Sequence, residues 1–305
     1  PVNKMTEKVV IIILQYNNSQ DTIRCLNSVK ELDHPNYEVI VVNNGSGVNP
    51  ERSREGTQRA PASYGINHIN IIRDWIEKEV NINPTSHYSL LTTYSNLGYS
   101  GGNNVGIRYA LEHGGNYVMI LNNDTRVEKD LLAKLVGASE SDPQVGIVGP
   151  AIEEDNKIVY GSKVRWLKPE LSHLGIQLLS ALGSSTTKCY ISGAAMLIKR
   201  ETIEKIGLLD ERYFLYFEDA DYCLRAQKAG YKLKIVPETL IHHKPSSTTS
   251  ALGTSLLLRY HYRNAHLFNW KNGPLWVKLT LPVWSVFIII KQLVKITLGR
   301  NKNVS

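Results

Sequence analysis

The first half of the chain alternates two hydrophobic patterns. Short, nearly continuous apolar runs recur: "KVVIIILQY" (8–16), "YEVIVVNNGSG" (37–47), "HYSLLTTY" (87–94) and "NYVMILNND" (116–124). Such runs predict strands buried on both faces. Between them lie segments with apolar residues three or four apart. "SQDTIRCLNSVKEL" (19–32) places Ile23, Leu26 and Val29 on one face, with Ser19 as candidate N-cap. "INHINIIRDWIEKEV" (66–80), "VGIRYALEHGG" (105–115) and "VEKDLLAKLV" (127–136) repeat the helical period, and residues 50–64 read as a loop. Strands alternating with helices predict an α/β fold with a mostly parallel sheet.

The second half is more mixed. "QVGIVGPAI" (144–152), "AAMLIKR" (194–200) and "YKLKIVPE" (231–238) read as strands. "FEDADYCLRAQKAG" (217–230) reads as a helix stopped by Gly230. The last apolar pattern, 273–299, sets Trp276, Leu279, Val283, Phe287, Ile290, Val294 and Leu298 at helical spacing. Its uncharged stretch between Lys278 and Lys291 is shorter than the roughly 20 residues that span a bilayer. The division expected is a main domain over 1–250 and a basic, aromatic-rich helical extension over 251–305.

Charge changes the picture at that extension. The 305 residues carry 35 Lys and Arg against 28 Asp and Glu. No acidic residue follows Glu238, whereas Lys244, Arg259, Arg263, Lys271, Lys278, Lys291, Lys295, Arg300 and Lys302 do. A near-neutral body with a basic tail points to an anionic surface as partner. The apolar spacing within 273–299 favours a membrane surface, with packing on the chain's own body or on a second subunit as alternatives. Aromatic and basic residues do not build a nucleic-acid signature, so no nucleic acid is expected. An oligomer is left open. Cys25, Cys189 and Cys223 have no metal-type spacing and suit a reducing compartment. "VVIIIL" (9–14) is too short for the apolar core of a signal peptide, and none is expected.

Candidate chemistry collects at strand ends, where open α/β sheets bind ligands. Four polar clusters sit there: "QYNNS" (15–19), "NNGS" (43–46), "SNLGYSGGNN" (95–104) and "NNDT" (122–125). They are rich in amides and hydroxyls, which suits a base, a ribose and a sugar. The glycine segment reads as a tight turn before a helix, and its spacing matches neither dinucleotide nor P-loop fingerprints. Asp124 is the one carboxylate in its cluster. It is either a helix cap before "VEKDLL" or a metal ligand completed by phosphate oxygens and water. "YFEDADYCLR" (216–225) supplies Glu218, Asp219 and Asp221. Asp221 is explained by Arg225 four residues on, while Glu218 or Asp219 can act as a base. In "LIHHKPSS" (240–247) a neutral imidazole can supply a second metal ligand, or both histidines are packing residues.

In order along residues 9–264, "ILQYNN", "VIVVNNGS", "NLGYSGGNNVGI", "VMILNNDT", "GAAMLIKRETIEKIGLLDERYFLYFEDADYCLRAQKAGYKLKIVPETLIHH" and "RYHYRN" resemble the family-2 glycosyltransferases with the GT-A fold, and within them the bacterial rhamnosyltransferase-like branch. The resemblance implies a Rossmann-like, GT-A-type sheet flanked by helices, with C-terminal amphipathic helices. It implies donor contacts from Tyr16, Asn17, Asn43, Asn44, Asn96, Gly101, Gly102, Asn103 and Asn123. Asp124 matches the charged position of a reduced Asp-x-Asp motif, and His242 the metal-binding histidine, with His243 as the lesser candidate. Asp219 matches the general base, with Glu218 beside it. Gly193, Ala194 and Trp166 would border the acceptor. The implied reaction is inverting transfer from a nucleotide-diphosphate sugar, dTDP-rhamnose or a UDP-hexose, with Mg²⁺ or Mn²⁺. The implied acceptor is a bacterial polysaccharide or lipid-linked saccharide, reached from the cytoplasmic side of the plasma membrane. Nothing carries over to 50–88. The rivals are a sugar-phosphate nucleotidyltransferase and a non-catalytic sugar-binding or scaffolding subunit with a degenerate metal motif.

Overall fold

The computed structural model describes residues 7–46, 62–83, 87–167, 172–173, 189–244 and 254–300. The expected loop over 50–64 lies mostly outside them. Strands β1 (Val9–Gln15), β2 (Tyr37–Asn43), β3 (Tyr88–Thr92) and β4 (Tyr117–Asn122) form one half of the main sheet. All are parallel, in the order β3-β2-β1-β4. The other half holds β5 (Thr125–Val127), β6 (Val145–Glu154), β7 (Lys157–Val159), β11 (Ala195–Lys199) and β12 (Lys232–His243). Here β11 enters antiparallel between β4 and β6, β12 runs parallel to β6, and β5 closes the edge antiparallel to β12. Short strands β8 (Ser162–Lys163), β9 (Ser172–His173) and β10 (Cys189–Tyr190) make a separate small sheet.

The apolar runs are buried on both faces, as continuous runs require. Val10, Ile12, Ile40, Val118 and Ile120 face one core; Val9, Ile11, Ile13, Val39, Val41 and Met119 face the other. Each such side chain stabilises the fold by about 1.5–3 kcal/mol. The second core is covered by α1 (Ser19–Val29), α2 (Ala62–Ile82) and α4 (Leu131–Glu140), through residues such as Leu26, Ile72 and Leu132. The first is covered by α3 (Gly98–Glu112), α5 (Arg200–Ile206), α6 (Glu218–Lys228) and α7 (Thr254–Asn272). Helix α8 (Leu275–Arg300) folds back on α7. Ala265 and Phe268 of α7 belong to the core, so the expected division at residue 250 falls ahead of a helix whose inner face is core.

Three local expectations change. The N-cap of α1 is Asn18, not Ser19: the Asn18 side chain accepts the Asp21 N–H at 3.2 Å. The helix expected from Val127 begins at Leu131, because residues 125–127 pair with β12. The glycine segment is not a turn but the first two turns of α3. Helix and sheet approach so closely there that a Cβ on Gly102 would lie 2.4 Å from Leu14 Cδ1, and one on Gly106 2.6 Å from Ile12 Cγ2. Glycine's cost in a helix is offset by that contact.

Candidate active site

Strand register brings the polar clusters to one edge. Gln15 lies beside Asn43, Asn43 beside Thr92, and Leu14 beside Asn122. Because β11 runs the other way, its start carries Gly193 and Ala194 to the same edge; the Asn122 N–H donates to Ala194 O at 3.0 Å. The ends of β6 and β12 arrive there too, with His243 opposite Thr125.

On the β1–β3 side most amides are engaged with the protein itself. Asn44 Nδ2 donates to Asn96 Oδ1 at 3.1 Å and to Gly98 O at 3.0 Å, while its Oδ1 accepts from Leu97 N–H at 2.9 Å. Asn96 Oδ1 also accepts the Gly98 N–H at 2.8 Å. Gly101 and Gly102 serve packing: a Cβ on Gly101 would lie 2.7 Å from Leu97 Cβ. Asn123 turns inward and donates to Thr22 Oγ1 at 3.0 Å. Asn17 is left-handed, with φ of 53°, and its N–H donates to Ser46 Oγ at 2.8 Å. Ser46 Oγ donates onward to Gln15 Oε1 at 2.9 Å, and Asn43 Nδ2 donates to Ser46 O at 3.0 Å. Tyr16 is half-buried beside them. Capacity left over is small: Asn43 Oδ1, Gln15 Nε2 and Asn103 Oδ1 are buried without a hydrogen-bond partner.

Carboxylates dominate the other side. Asp124 sits in the turn between β4 and β5, its side chain only 5% exposed. Its Oδ1 lies 3.3 Å from His243 Nε2, yet has no hydrogen bond. His243 Nδ1 is 3.8 Å from Glu154 Oε1. Burial pushes the His243 imidazole down, but the adjoining Asp124 carboxylate and the charge of Glu154 together outweigh it and leave the net shift upward. The expectation that His242 reaches Asp124 is not met. Successive side chains of a strand point to opposite faces, so when His243 turns to Asp124, His242 turns away and pairs with Glu153. Among the described residues no group of three metal-ligating side chains converges. An under-bonded buried carboxylate beside an imidazole fits a hard cation whose remaining oxygens come from a ligand and water.

The second acid group opens α6. Asp219 Oδ2 accepts the Gly193 N–H at 3.1 Å and its Oδ1 accepts its neighbour Ala220's N–H at 2.7 Å. Glu218 is buried and its Oε2 has no partner. Burial raises both acids; the charge of Asp219 raises Glu218 further, while the Gly193 and Ala220 N–H groups partly restrain Asp219. The preceding Tyr216 and Phe217 both have φ of 74°, a left-handed conformation that costs bulky residues roughly 1–3 kcal/mol each.

Tyr99, absent from the sequence-based candidates, reaches the second acid group through Gly193. Its hydroxyl donates to Gly193 O at 2.6 Å. Burial, then the charges of Glu218, Asp219 and Asp124, push its phenol well up. The signal available was an aromatic in the polar segment after a strand. Gly193 therefore touches both Tyr99 and Asp219, with Ala194 next to it. Trp166 stands apart from these contacts, stacked on Phe268 of α7 with centroids 5.7 Å apart.

With this geometry in hand, comparisons with known proteins give a consistent result. The family model "Glycosyltransferase like family 2" matches residues 7–263. The chain is 25% identical to the N-acetylglucosaminyl-diphospho-decaprenol L-rhamnosyltransferase of Mycobacterium tuberculosis, over 89% of each chain. It is 26% identical to the dTDP-rhamnosyl transferase RfbF of Shigella flexneri, over 68% of this chain and 71% of that one. Among solved structures it resembles the mannosyltransferase PcManGT of Pyrobaculum calidifontis, solved with GDP-Man and Mn2+, with a TM-score of 0.54 and 16% identity, covering 93% of this chain and 81% of that one. It also resembles GalNAc-T7, solved with UDP, GalNAc and Mn2+, with a TM-score of 0.58 and 15% identity. That match covers 80% of this chain, which spans 44% of the length of GalNAc-T7. At these identities the structural likenesses bear on the fold alone.

Proposed function

Because the chain belongs to glycosyltransferase family 2, we propose that it transfers a sugar, with inversion, from a nucleotide-diphosphate donor to a saccharide hydroxyl. The observation that carries this reading is the Gly193 junction. Gly193 holds Asp219 through its N–H and Tyr99 through its carbonyl, and its neighbour Ala194 accepts the Asn122 N–H at the strand end that leads to Asp124. One group is suited to proton removal, the other to a diphosphate.

Asp219 takes the proton of the acceptor hydroxyl as that oxygen bonds the anomeric carbon. The bond from that carbon to the diphosphate breaks, and its electron pair leaves with the nucleotide. Attack opposite the leaving group inverts the centre. Two backbone N–H groups keep Asp219 oriented and favour its ionised form, whereas burial favours protonated Glu218 beside it. A base raised above the ordinary carboxylate range is better matched to neutral pH. Asp124 and His243 are the residues that would hold Mg²⁺ or Mn²⁺, which when bound neutralises charge on the leaving diphosphate. Asn43, Asn17, Tyr16 and Asn103 are proposed for the donor, while Asn44, Asn96, Gly101, Gly102 and Asn123 shape its walls. Gly193 and Ala194 border the acceptor. The rhamnosyltransferase relatives favour dTDP-rhamnose ahead of UDP-hexoses.

Helix α8 extends this reading to a membrane. Trp276, Leu279, Val283, Val286, Phe287 and Ile290 are exposed along one stripe, while Val277 and Leu281 are buried. Among the described residues no helix is long and apolar enough to cross a bilayer. With the acid-free basic tail, this favours a helix lying on an anionic surface, where a lipid-linked acceptor on the cytoplasmic face would be presented. Deleting 273–305 is expected to abolish flotation with anionic liposomes; unchanged flotation would defeat it.

The donor reading is tested by thermal shift with dTDP- and UDP-sugars, with and without Mn²⁺. A bound donor at 100 times its Kd adds about 2.7 kcal/mol of stability. A Mn²⁺-dependent shift that Asp124→Asn removes is expected; a shift indifferent to both would refute the cation and Asp124 assignment.

A further inference from the structure

Asn264, which closes the "RYHYRN" segment (259–264), is not part of the sheet edge, yet it lies on the inner side of α7 against the strained entry to α6. Tyr216 and Phe217 are consecutive left-handed residues without glycine's freedom. Phe217 is the N-cap residue of α6 and makes no side-chain capping bond. The direction in which α6 starts, and with it the aim of Asp219, is therefore set by how the 215–217 backbone is held.

Asn264 holds it. The side chain is fully buried, 0% exposed. Its Nδ2 donates to Leu215 O at 2.7 Å and to Tyr216 O at 3.3 Å. Arg263 fixes the amide from behind, donating from Nη1 to Asn264 Oδ1 at 3.0 Å and to Arg212 O at 2.9 Å. The same helix grips the first turn of α6. Lys271 Nζ donates to Asp221 at 2.9 Å and to Asp210 at 2.7 Å, and Asn272 Nδ2 donates to Asp221 Oδ1 at 2.8 Å. Rings pack the strained residues in place: Phe217 against Phe268, and Tyr216 against His261. A left-handed pair persists only where its surroundings over-determine it, and here a C-terminal helix supplies much of that surrounding.

We propose that Asn264 is a positioning residue: it clamps the Leu215–Phe217 backbone so that Asp219 meets the acceptor hydroxyl. The inference rests on the reading of Asp219 as the base. Without the amide, two carbonyls lose their donor and the strained pair can relax, swinging the start of α6 while the sheet edge stays intact.

The test is a double-mutant cycle in the full chain. Asn264→Ala is expected to lower kcat about 10- to 100-fold, as small misplacements of reacting groups do, with nucleoside diphosphate affinity within about twofold. In an Asp219→Asn background the same change should cost almost nothing, because residues acting as one unit are non-additive. The same fractional loss in both backgrounds would overturn the clamp while leaving the base assignment standing. Wild-type transfer in Asp219→Asn alone would remove the base and the clamp with it. Should Asn264→Ala fail to fold, Arg263→Ala on the exposed side removes the donor that fixes the amide. A several-fold fall in kcat at unchanged melting temperature supports the clamp, and wild-type kcat overturns it.

Discussion

The two halves of the sheet edge look alike in sequence and differ in what their polar groups are doing. On the β1–β3 side, Asn44 makes three close hydrogen bonds within the protein and Asn96 two, and Asn123 is turned into α1. On the β4–β12 side and at the start of α6, Asp124 and Glu218 carry buried oxygens with no hydrogen bond. Buried polar groups are nearly always satisfied, so Asn44, Asn96 and Asn123 are architecture, and a ligand or proton is expected at the uncommitted atoms: Asn43 Oδ1, Gln15 Nε2 and Asn103 Oδ1 on the first side, Asp124 Oδ1 and Glu218 Oε2 on the second. A polar strand end marks a site only where bonding capacity is left uncommitted.

The largest expected effect is on the acid side. Asp219→Asn should lower initial transfer rates about 10²- to 10⁴-fold, the usual range for a general base; a loss below threefold would erase the contrast. Because burial raises Asp219 and the base acts deprotonated, wild-type activity should fall as pH drops, above the ordinary aspartate range. The histidine pair sharpens the contrast within two residues. His243→Ala should weaken Mn²⁺ binding about 10- to 100-fold, read by calorimetry in the presence of a nucleoside diphosphate. His242→Ala should leave it within about twofold, since that ring faces Glu153 and the pleat separates the two. Equal effects would break the assignment.

The committed amides should answer in stability. Asn44→Ala strands the Leu97 N–H, at about 1–3 kcal/mol for a buried group left unpaired, measured by urea unfolding. The smallest effect has the opposite sign. Glu218 has a folded pKa raised above its unfolded value. Its contribution is therefore fully present below the unfolded pKa and is lost as pH rises through the folded one. Glu218→Gln mimics the protonated acid, so its melting temperature should exceed wild type at neutral pH and converge with it in acid.

Much of this was legible in the chain. Continuous apolar runs such as "VVIIILQ" gave both the strands and their double burial. The four polar strand ends fall on one edge of the sheet, as the alternating pattern implied. Other features were not legible, for physical reasons. Nothing in "GYSGGNN" distinguishes a phosphate-cradling turn from a helix flattened against Leu14 and Ile12, because both need missing Cβ atoms. Which of His242 and His243 faces Asp124 is a matter of strand phase, set by β12 running on through the histidines to pair with β5. Tyr99 is a single aromatic whose place at the site depends on its bond to Gly193, 94 residues away. Asn264 depends likewise on a helix that follows the sheet in sequence.

Donor binding and proton removal are proposed to belong to different sets of residues that meet at Gly193. Calorimetric titration of the Asp219→Asn protein with nucleoside diphosphate and Mn²⁺ tests this most directly. The affinity should stay within about twofold of wild type, as expected when only a transition-state interaction is removed. An affinity lost in proportion to the rate would contradict the account, because the acid of α6 would then belong to the donor site itself.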